Sequence, residues 1–332
     1  MRHVPGTAVR TQLIIFNLFG DYVSPRQVAV PTAGLLQVLG ALDVSERAAR
    51  STLSRMKRKG WLSSRRKGRQ SQYFLTPSGK ALLDEGTQRL FGPRPDHWDG
   101  RWHIVAYSLP QQMRKSRHQL RTRLSWLGFG MLHPGTMVAA HVRRQEVLAL
   151  IRELRLESYA HFFTEAGLDT PSPEEIVARC WDLPELNQRY SSFIERHRPD
   201  YEASLKDRER PRGLPLDSSF VHRFWATYEF STFPREDPNL PPPLQPQGWL
   251  GGEAADLLVR YRALLKAPAE KYIELSLGID SPGDSAARLG DGQTEVPLPS
   301  KTTLAWAEAI RWREPVSGIQ SRDRRRTVPD KP

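Results

Sequence analysis

Residues 44–62 read VSERAARSTLSRMKRKGWL, and the fold turns on this stretch. Ser45 stands where a helix N-cap belongs, because a hydroxyl there can accept from an orphaned first-turn amide. Gly60 stands just past the end, where glycine enters the left-handed conformation without a Cβ penalty. Between them Ala48, Ala49, Thr52, Leu53 and Met56 recur at helical spacing and mark a buried face. Arg47, Arg50, Ser51, Ser54 and Arg58 fall off that face, and Arg55 lies at its edge. Lys57 and Lys59 add further charge, and no acid follows Glu46. A small helix with so basic an outer face calls for an anionic partner to compensate it.

The flanking sequence says what that helix belongs to. Residues 8–19, AVRTQLIIFNLF, predict a first helix with Leu13, Phe16 and Leu18 inward and Gly20 as its stop. Residues 31–40, PTAGLLQVLG, predict a second, with Pro31 near its start and Leu35, Leu36 and Leu39 inward. After Gly60, Trp61-Leu62 and then Tyr73 and Leu75 have strand character, with Arg66-Lys67-Gly68-Arg69 as a polar turn between them. Three helices followed by a basic hairpin make a winged helix-turn-helix, in which the third helix enters the major groove and the wing follows the backbone. Between Asp43 and Lys80 stand eleven Lys or Arg and two acids, so this segment carries +9 of the formal net charge of +12. The expected partner is double-stranded DNA, whose phosphates supply the missing countercharge. The expected contacts are Ser45, Arg47, Arg50, Ser51, Ser54, Arg55 and Arg58 on the helix, with Arg66, Lys67 and Arg69 in the wing.

Composition narrows the rest. The 332 residues are enough for two or three domains. No apolar run reaches the roughly 20 residues that a membrane helix needs. The opening MRHVPGTAVR carries no signal-peptide core, so a cytoplasmic, nucleoid-associated location is expected. Cys180 is the only cysteine, which excludes an internal disulfide and a Cys-based zinc site. No Walker motif, nucleophile elbow or paired acids stand out, so neither an enzyme nor a cofactor is expected.

Downstream, 102–109 (WHIVAYSL) predicts a buried strand, and 111–127 an amphipathic helix with Met113, Leu120, Leu124 and Leu127 inward, broken by Gly128. Residues 129–141 predict a strand irregular at Pro134-Gly135, 142–156 a helix and 157–166 a strand. That order fits a split βαβ, ferredoxin-like sheet. Residues 173–200 and 216–233 predict helices rich in aromatics. Phe220, Phe224 and Tyr228 form a stripe that suits a core or, with Trp225, an apolar pocket for an aryl group. The proline-rich 233–249 is expected to wrap the surface before a last helix at 251–267.

FGDYV at 19–23, the 44–62 stretch, GRQSQYFLTPSG at 68–79, WDGRW at 98–102, LGFGMLHPGTM at 127–137 and FVHRFWATYEFSTFPREDPNLPPPLQPQGW at 220–249 resemble the PaaX family. These are bacterial transcriptional repressors of phenylacetic acid catabolism and related pathways. The resemblance implies a homodimeric α+β multidomain repressor: a winged helix at 8–90, a ferredoxin-like central domain at 98–170 and a mainly helical effector and dimerisation domain at 173–275. It also implies an aryl- or acyl-CoA effector, such as phenylacetyl-CoA, that releases the DNA. Residues 276–332 have no counterpart in it; KTTLAWAEAIRWRE within them suits a short helix, and the rest suits a poorly ordered extension. The central sheet resembles that of a small CRISPR-associated metal nuclease, which holds its metal with an Asp at the end of the first strand. Here that position is Ser108, a poor metal ligand, so nuclease chemistry is the disfavoured alternative. His103, His118, His133 and His141 have no tight pairing or adjoining acids, and no metal site is expected.

Overall fold

The structure, a computed structural model, describes residues 11–92, 94–141, 143–168, 171–210 and 213–279. The extension from 280 onward, with its expected helix, lies outside the described residues. Helix α1 (Thr11–Leu18) buries Leu13, Ile14, Ile15, Phe16 and Leu18, so it is apolar nearly all round and must be enclosed by other elements. Gly20 does not stop it. The chain continues through a wide turn at Phe19–Val23 and a tight one at Ser24–Arg26, and leaves the helical path at Gln27, with φ 50°. Burial of Phe19, Tyr22 and Val23 outweighs the roughly 1 kcal/mol that a helical glycine costs.

Helices α2 (Thr32–Ala41) and α3 (Glu46–Arg58) follow. Strands β1 (Val30–Pro31), β2 (Leu62–Lys67) and β3 (Gln70–Leu75) form an antiparallel sheet in the order β1-β3-β2. Lys67 pairs with Gln70, so the turn is only Gly68-Arg69, and Arg66 and Lys67 belong to the strand rather than to the turn. Gly68 has φ 60° and Arg69 is not left-handed, the pattern of a II′ hairpin with Gly first. A further helix, α4 (Pro77–Phe91), was not foreseen, although Thr76 caps it on the Gly79 amide and Pro77 suits its first turn. A Cβ on Gly79 would lie 2.0 Å from the Trp61 carbonyl oxygen, so only glycine lets α4 start against the end of α3.

The middle of the chain runs β4 (Trp102–Tyr107), α5 (Arg114–Trp126), β5 (Gly130–His133), β6 (Thr136–Ala139), α6 (Arg144–Glu153) and β7 (Ala160–Ala166). The stretch expected as one irregular strand is a hairpin that turns at Pro134-Gly135, with Gly135 at φ 87°. The sheet is antiparallel in the order β5-β6-β4-β7. Strand alternation divides its faces: Val105, Met137 and Ala139 meet Leu120, Leu124, Val147 and Leu150 of α5 and α6, whereas Trp102 and Val138 meet the C-terminal helices.

Those helices are α7 (Pro173–Cys180), α8 (Leu183–Arg208), α9 (Leu216–Phe230), α10 (Gly251–Leu264) and α11 (Lys266–Leu277). The proline-rich link does not wrap the surface. Phe233, Leu240, Leu244 and Asp237 are buried, because the link fills the space between α8, α9 and the central sheet.

The first helices do not close a core alone. Phe220, Val221, Phe224 and Tyr228 of α9, with Ala269, Ile273 and Leu277 of α11, complete the cluster around α1, α2 and α3. Ions lock the same junction. Arg262 donates to both Asp21 carboxylate oxygens at 2.8 and 3.0 Å, and Arg223 donates to one at 3.4 Å. The side chains of Asp21, Arg223 and Arg262 are only 13%, 6% and 17% exposed. Removing one partner from such a site strands buried charge. Asp21→Ala is therefore expected to cost about 3–5 kcal/mol in denaturant unfolding. A loss within the range of an exposed ion pair, about 1 kcal/mol or less, would contradict that.

Candidate nucleic-acid interface

Ser45 caps α3 as its sequence suggests, its hydroxyl accepting from the Ala48 amide at 3.3 Å. Ala49, Thr52, Leu53 and Met56 are buried, and Ala48 partly so. Arg47, Arg50, Ser51, Ser54, Arg55 and Arg58 all face solvent, as does Ser45, whose hydroxyl is already engaged as the cap. The charge is not wholly uncompensated. Arg50 donates from Nε to Glu46 Oε1 at 2.8 Å, one turn back. Both side chains are more than half exposed, so the pair is weak and exchanges readily for a stronger anion. Arg55 donates to Thr52 Oγ1 at 2.9 Å, which holds its guanidinium along the helix edge. Among the described residues no carboxylate lies within ion-pair reach of Arg47 or Arg58.

In the hairpin, Arg66, Lys67 and Arg69 are exposed, and Arg66 Nε reaches the Gly68 carbonyl at 3.2 Å. Lys57 donates from Nζ to Ser64 Oγ at 2.8 Å, so the hairpin is fastened to the C-terminal half of α3. The Gly60 carbonyl accepts from Thr76 Oγ1 at 2.5 Å and Ser78 Oγ at 2.7 Å, which ties the end of α3 to the start of α4. Helix, hairpin and α4 therefore hold one another in place. Lys57 and exposed Arg65 were not among the expected contacts, though the same charge run contains them. The residues from Leu62 to Leu75 include no acid, so the hairpin is cationic throughout.

The aromatic stripe lies elsewhere. Phe220 and Phe224 are fully buried, Tyr228 nearly so and Trp225 partly. Phe220 stacks on Tyr272 with ring centres 4.9 Å apart and lies 5.6 Å from Tyr22. None of the four lines the crevice between α4, the start of α6 and the proline-rich link, or the one between α1, α4 and α9. Their stripe faces α1 and α11 and serves as the seam of the shared core. Ser108 is exposed just past β4, its amide donating to the Tyr159 carbonyl at 2.9 Å. No group of three or more His, Cys, Asp or Glu among the described residues is placed to hold a metal ion. No helix among them is long and apolar enough to cross a membrane.

Fold and surface together define a mixed α+β protein with two small antiparallel sheets that turns a basic helix face and a basic hairpin to solvent. Residues 10–79 match the family model described as PaaX-like protein, 95–177 the PaaX protein central Cas2-like domain and 181–275 the PaaX-like protein C-terminal domain. The chain belongs to the PaaX family, and its central domain is Cas2-like. Among curated proteins it is similar to the transcriptional repressor PaaX of Escherichia coli (strain K12), at 28% identity over 279 residues, covering 81% of this chain and 86% of that one. Among solved structures it is similar to an uncharacterized protein from Mycobacterium tuberculosis, with 19% identity and a TM-score of 0.49, covering 81% of this chain and 99% of that one.

Behind the basic surface, α4 meets α5 through an acid. Glu85 Oε1 accepts from Trp126 Nε1 at 2.9 Å. Burial pushes the Glu85 carboxyl up to about 7 from an ordinary 4.5, against the lowering effects of that hydrogen bond and of Arg123. The folded protein therefore holds this proton more tightly than the unfolded chain. Its stabilising contribution is complete below about pH 4.5 and is lost as pH rises through about 7. Glu85→Gln keeps an acceptor for Trp126 and removes the charge. The variant is expected to match the parent in unfolding free energy near pH 4 and to exceed it by about 2–3 kcal/mol at pH 8. A gap that does not change with pH would refute this.

Proposed function

We propose that the protein is a DNA-binding transcriptional regulator, a repressor that reads operator DNA as a winged helix-turn-helix. In this reading α3 enters the major groove and the β2–β3 hairpin lies along the phosphates as the wing. The observation that carries the reading is the outer face of α3, basic and exposed, fastened to an acid-free hairpin through Lys57 and Ser64. The name of the Escherichia coli relative, a transcriptional repressor, supports it. A homodimer follows from the same logic, since one short helix makes too few base contacts to select an operator alone. The central domain, ferredoxin-like in this reading, serves as scaffold rather than nuclease, with Ser108 where a metal-holding acid would stand. A cytoplasmic location goes with this role.

Arg47 lies near the N-terminal end of α3, the part that reaches base edges in such motifs. Arg47→Ala should cost about 1–3 kcal/mol on the best operator and relax selectivity at one base pair. Arg69→Ala should weaken all sequences alike and lower the salt slope by about one. Fluorescence anisotropy with the full chain across a salt series measures both. Affinity that stays flat from low to moderate salt would refute the DNA reading.

We further propose an aryl- or acyl-CoA effector that releases the DNA, on the family resemblance and the basic surplus. Because Phe220, Phe224, Trp225 and Tyr228 are packed into a shared seam, binding against them requires α9 to part from α1. Such a ligand would therefore favour a rearranged, DNA-free state. A hundredfold preference corresponds to about 2.7 kcal/mol of coupling, and operator must weaken the ligand by the same factor. Calorimetry with phenylacetyl-CoA, with and without operator, should return that ratio. Equal affinities would exclude the ligand as the switch.

A further inference from the structure

Helix α4, the approach to α6 and the proline-rich link meet in a crevice. Arg89 of α4, Arg94 just beyond it and Arg143 at the start of α6 line it, together with Tyr190, Asp237 and Asn239. Arg89 donates from Nη2 to the Asp237 carbonyl at 2.6 Å, but its Nε is sealed from solvent and has no partner. The Asp237 carboxylate is already engaged, accepting from Tyr190 Oη at 2.7 Å and from the Asn239 amide at 2.7 Å. Among the described residues no carboxylate oxygen lies within ion-pair reach of Arg89 or Arg94. Arg143 reaches only Glu146, at 3.5 Å.

The local potential is accordingly positive. Burial draws the Arg89 guanidinium down to about 10, with Arg143 and Arg94 adding to the effect and Asp237 opposing it. His141, beside the same arginines, is pushed down to about 4, first by burial and then by Arg143 and Arg89. Both its ring nitrogens are buried without partners. Leaving a buried donor and a buried guanidinium unsatisfied is costly, so such an arrangement calls for an anion that supplies acceptors and charge together.

We propose that this crevice is a binding site for a phosphate group, either free or as the end of a larger molecule, held by Arg89, Arg94 and Arg143. Three guanidinium groups stand against the Asp237 carboxylate, already engaged, and the half-exposed Glu146, 3.5 Å from Arg143, which leaves a net positive charge at the crevice. A phosphate dianion answers that charge and can also draw Arg143 from its weak, half-exposed partner, which a monocarboxylate does less well. Guanidinium forks also suit the several acceptor oxygens of a phosphate. The open volume is about 30 Å³, room for a few water-sized groups such as the oxygens of a small oxyanion, and none of Phe220, Phe224, Trp225 or Tyr228 lines it. The site is thus distinct from the aromatic seam around Phe220 and Phe224.

The test is calorimetry on the full chain without DNA, at constant ionic strength, so its outcome is independent of the DNA reading. Inorganic phosphate, pyrophosphate, ADP and acetate serve as probes. Saturable one-to-one binding of phosphate or pyrophosphate, tighter than acetate, is expected. Arg143→Gln and Arg94→Gln should each weaken it about tenfold, the loss of one charge-assisted contact. Arg94 is exposed and the Arg143 side chain is 28% exposed, so they keep the test open if Arg89→Gln, whose Nε is sealed in the parent, fails to fold. Arg66→Gln in the hairpin should leave binding unchanged. ADP binding well above inorganic phosphate would assign the phosphate to a larger ligand; equal binding would assign it to the free ion. Loss of binding in Arg66→Gln with none in Arg143→Gln, acetate binding as tightly as phosphate, or no saturable binding with any probe would overturn the proposal.

Discussion

Asp21 sits where the wide helical turn after α1 comes up against α9 and α10, and the arrangement of the molecule depends on the ions gathered there. A carboxylate this enclosed is tolerable only because Arg262 meets both of its oxygens and Arg223 adds a third contact. Arg223 also lies over the ring of Tyr22, 5.0 Å from its centre, and Arg262 lies over Phe91 at the end of α4, 4.8 Å away. One cluster thus fixes the turn after α1, the helix that leaves the hairpin, and helices α9 and α10 against one another. The apolar seam of Phe220, Phe224 and Tyr228 encloses the same junction, each buried aromatic contributing on the order of 1.5–3 kcal/mol.

This junction bears on the basic surface. Helix α3 is short and carries several like charges, which repel one another along its outer face. It is held helical by its Ser45 cap and by Ala49, Leu53 and Met56 buried in the shared core. The hairpin is pinned by Lys57 to Ser64 on one side and by Thr76 and Ser78 to the Gly60 carbonyl on the other. The repulsion is absorbed by packing behind the surface, which leaves the charges turned outward to solvent.

Local patterns were legible wherever the neighbouring residues alone determine the conformation. The boundaries of α3 could be read because a cap, a glycine stop and a 3.6-residue stripe agree. The exposed arginines of that helix followed from the same stripe. The hairpin at Gly68 was legible, but its register was not: which residues stand in the strands depends on cross-strand bonds such as that between Lys67 and Gln70. Gly20 misled because a helix stop is a weak local preference, easily outweighed by buried contacts from Tyr22 and Asp21.

By itself, then, the sequence determined the helices before the hairpin, the concentration of charge between Asp43 and Lys80, and the membership in a family, while α4 and the β5–β6 hairpin escaped it. It could not tell whether the aromatic stripe of α9 lines a pocket or fills a core, because periodicity shows that a face is apolar and not what covers it. Nor could it gather Arg89, Arg143 and Asp237, which lie on three separate elements, around one crevice. Those outcomes belong to the tertiary structure. Only contacts between distant segments decide which apolar face is closed by another helix and which buried charge finds a partner.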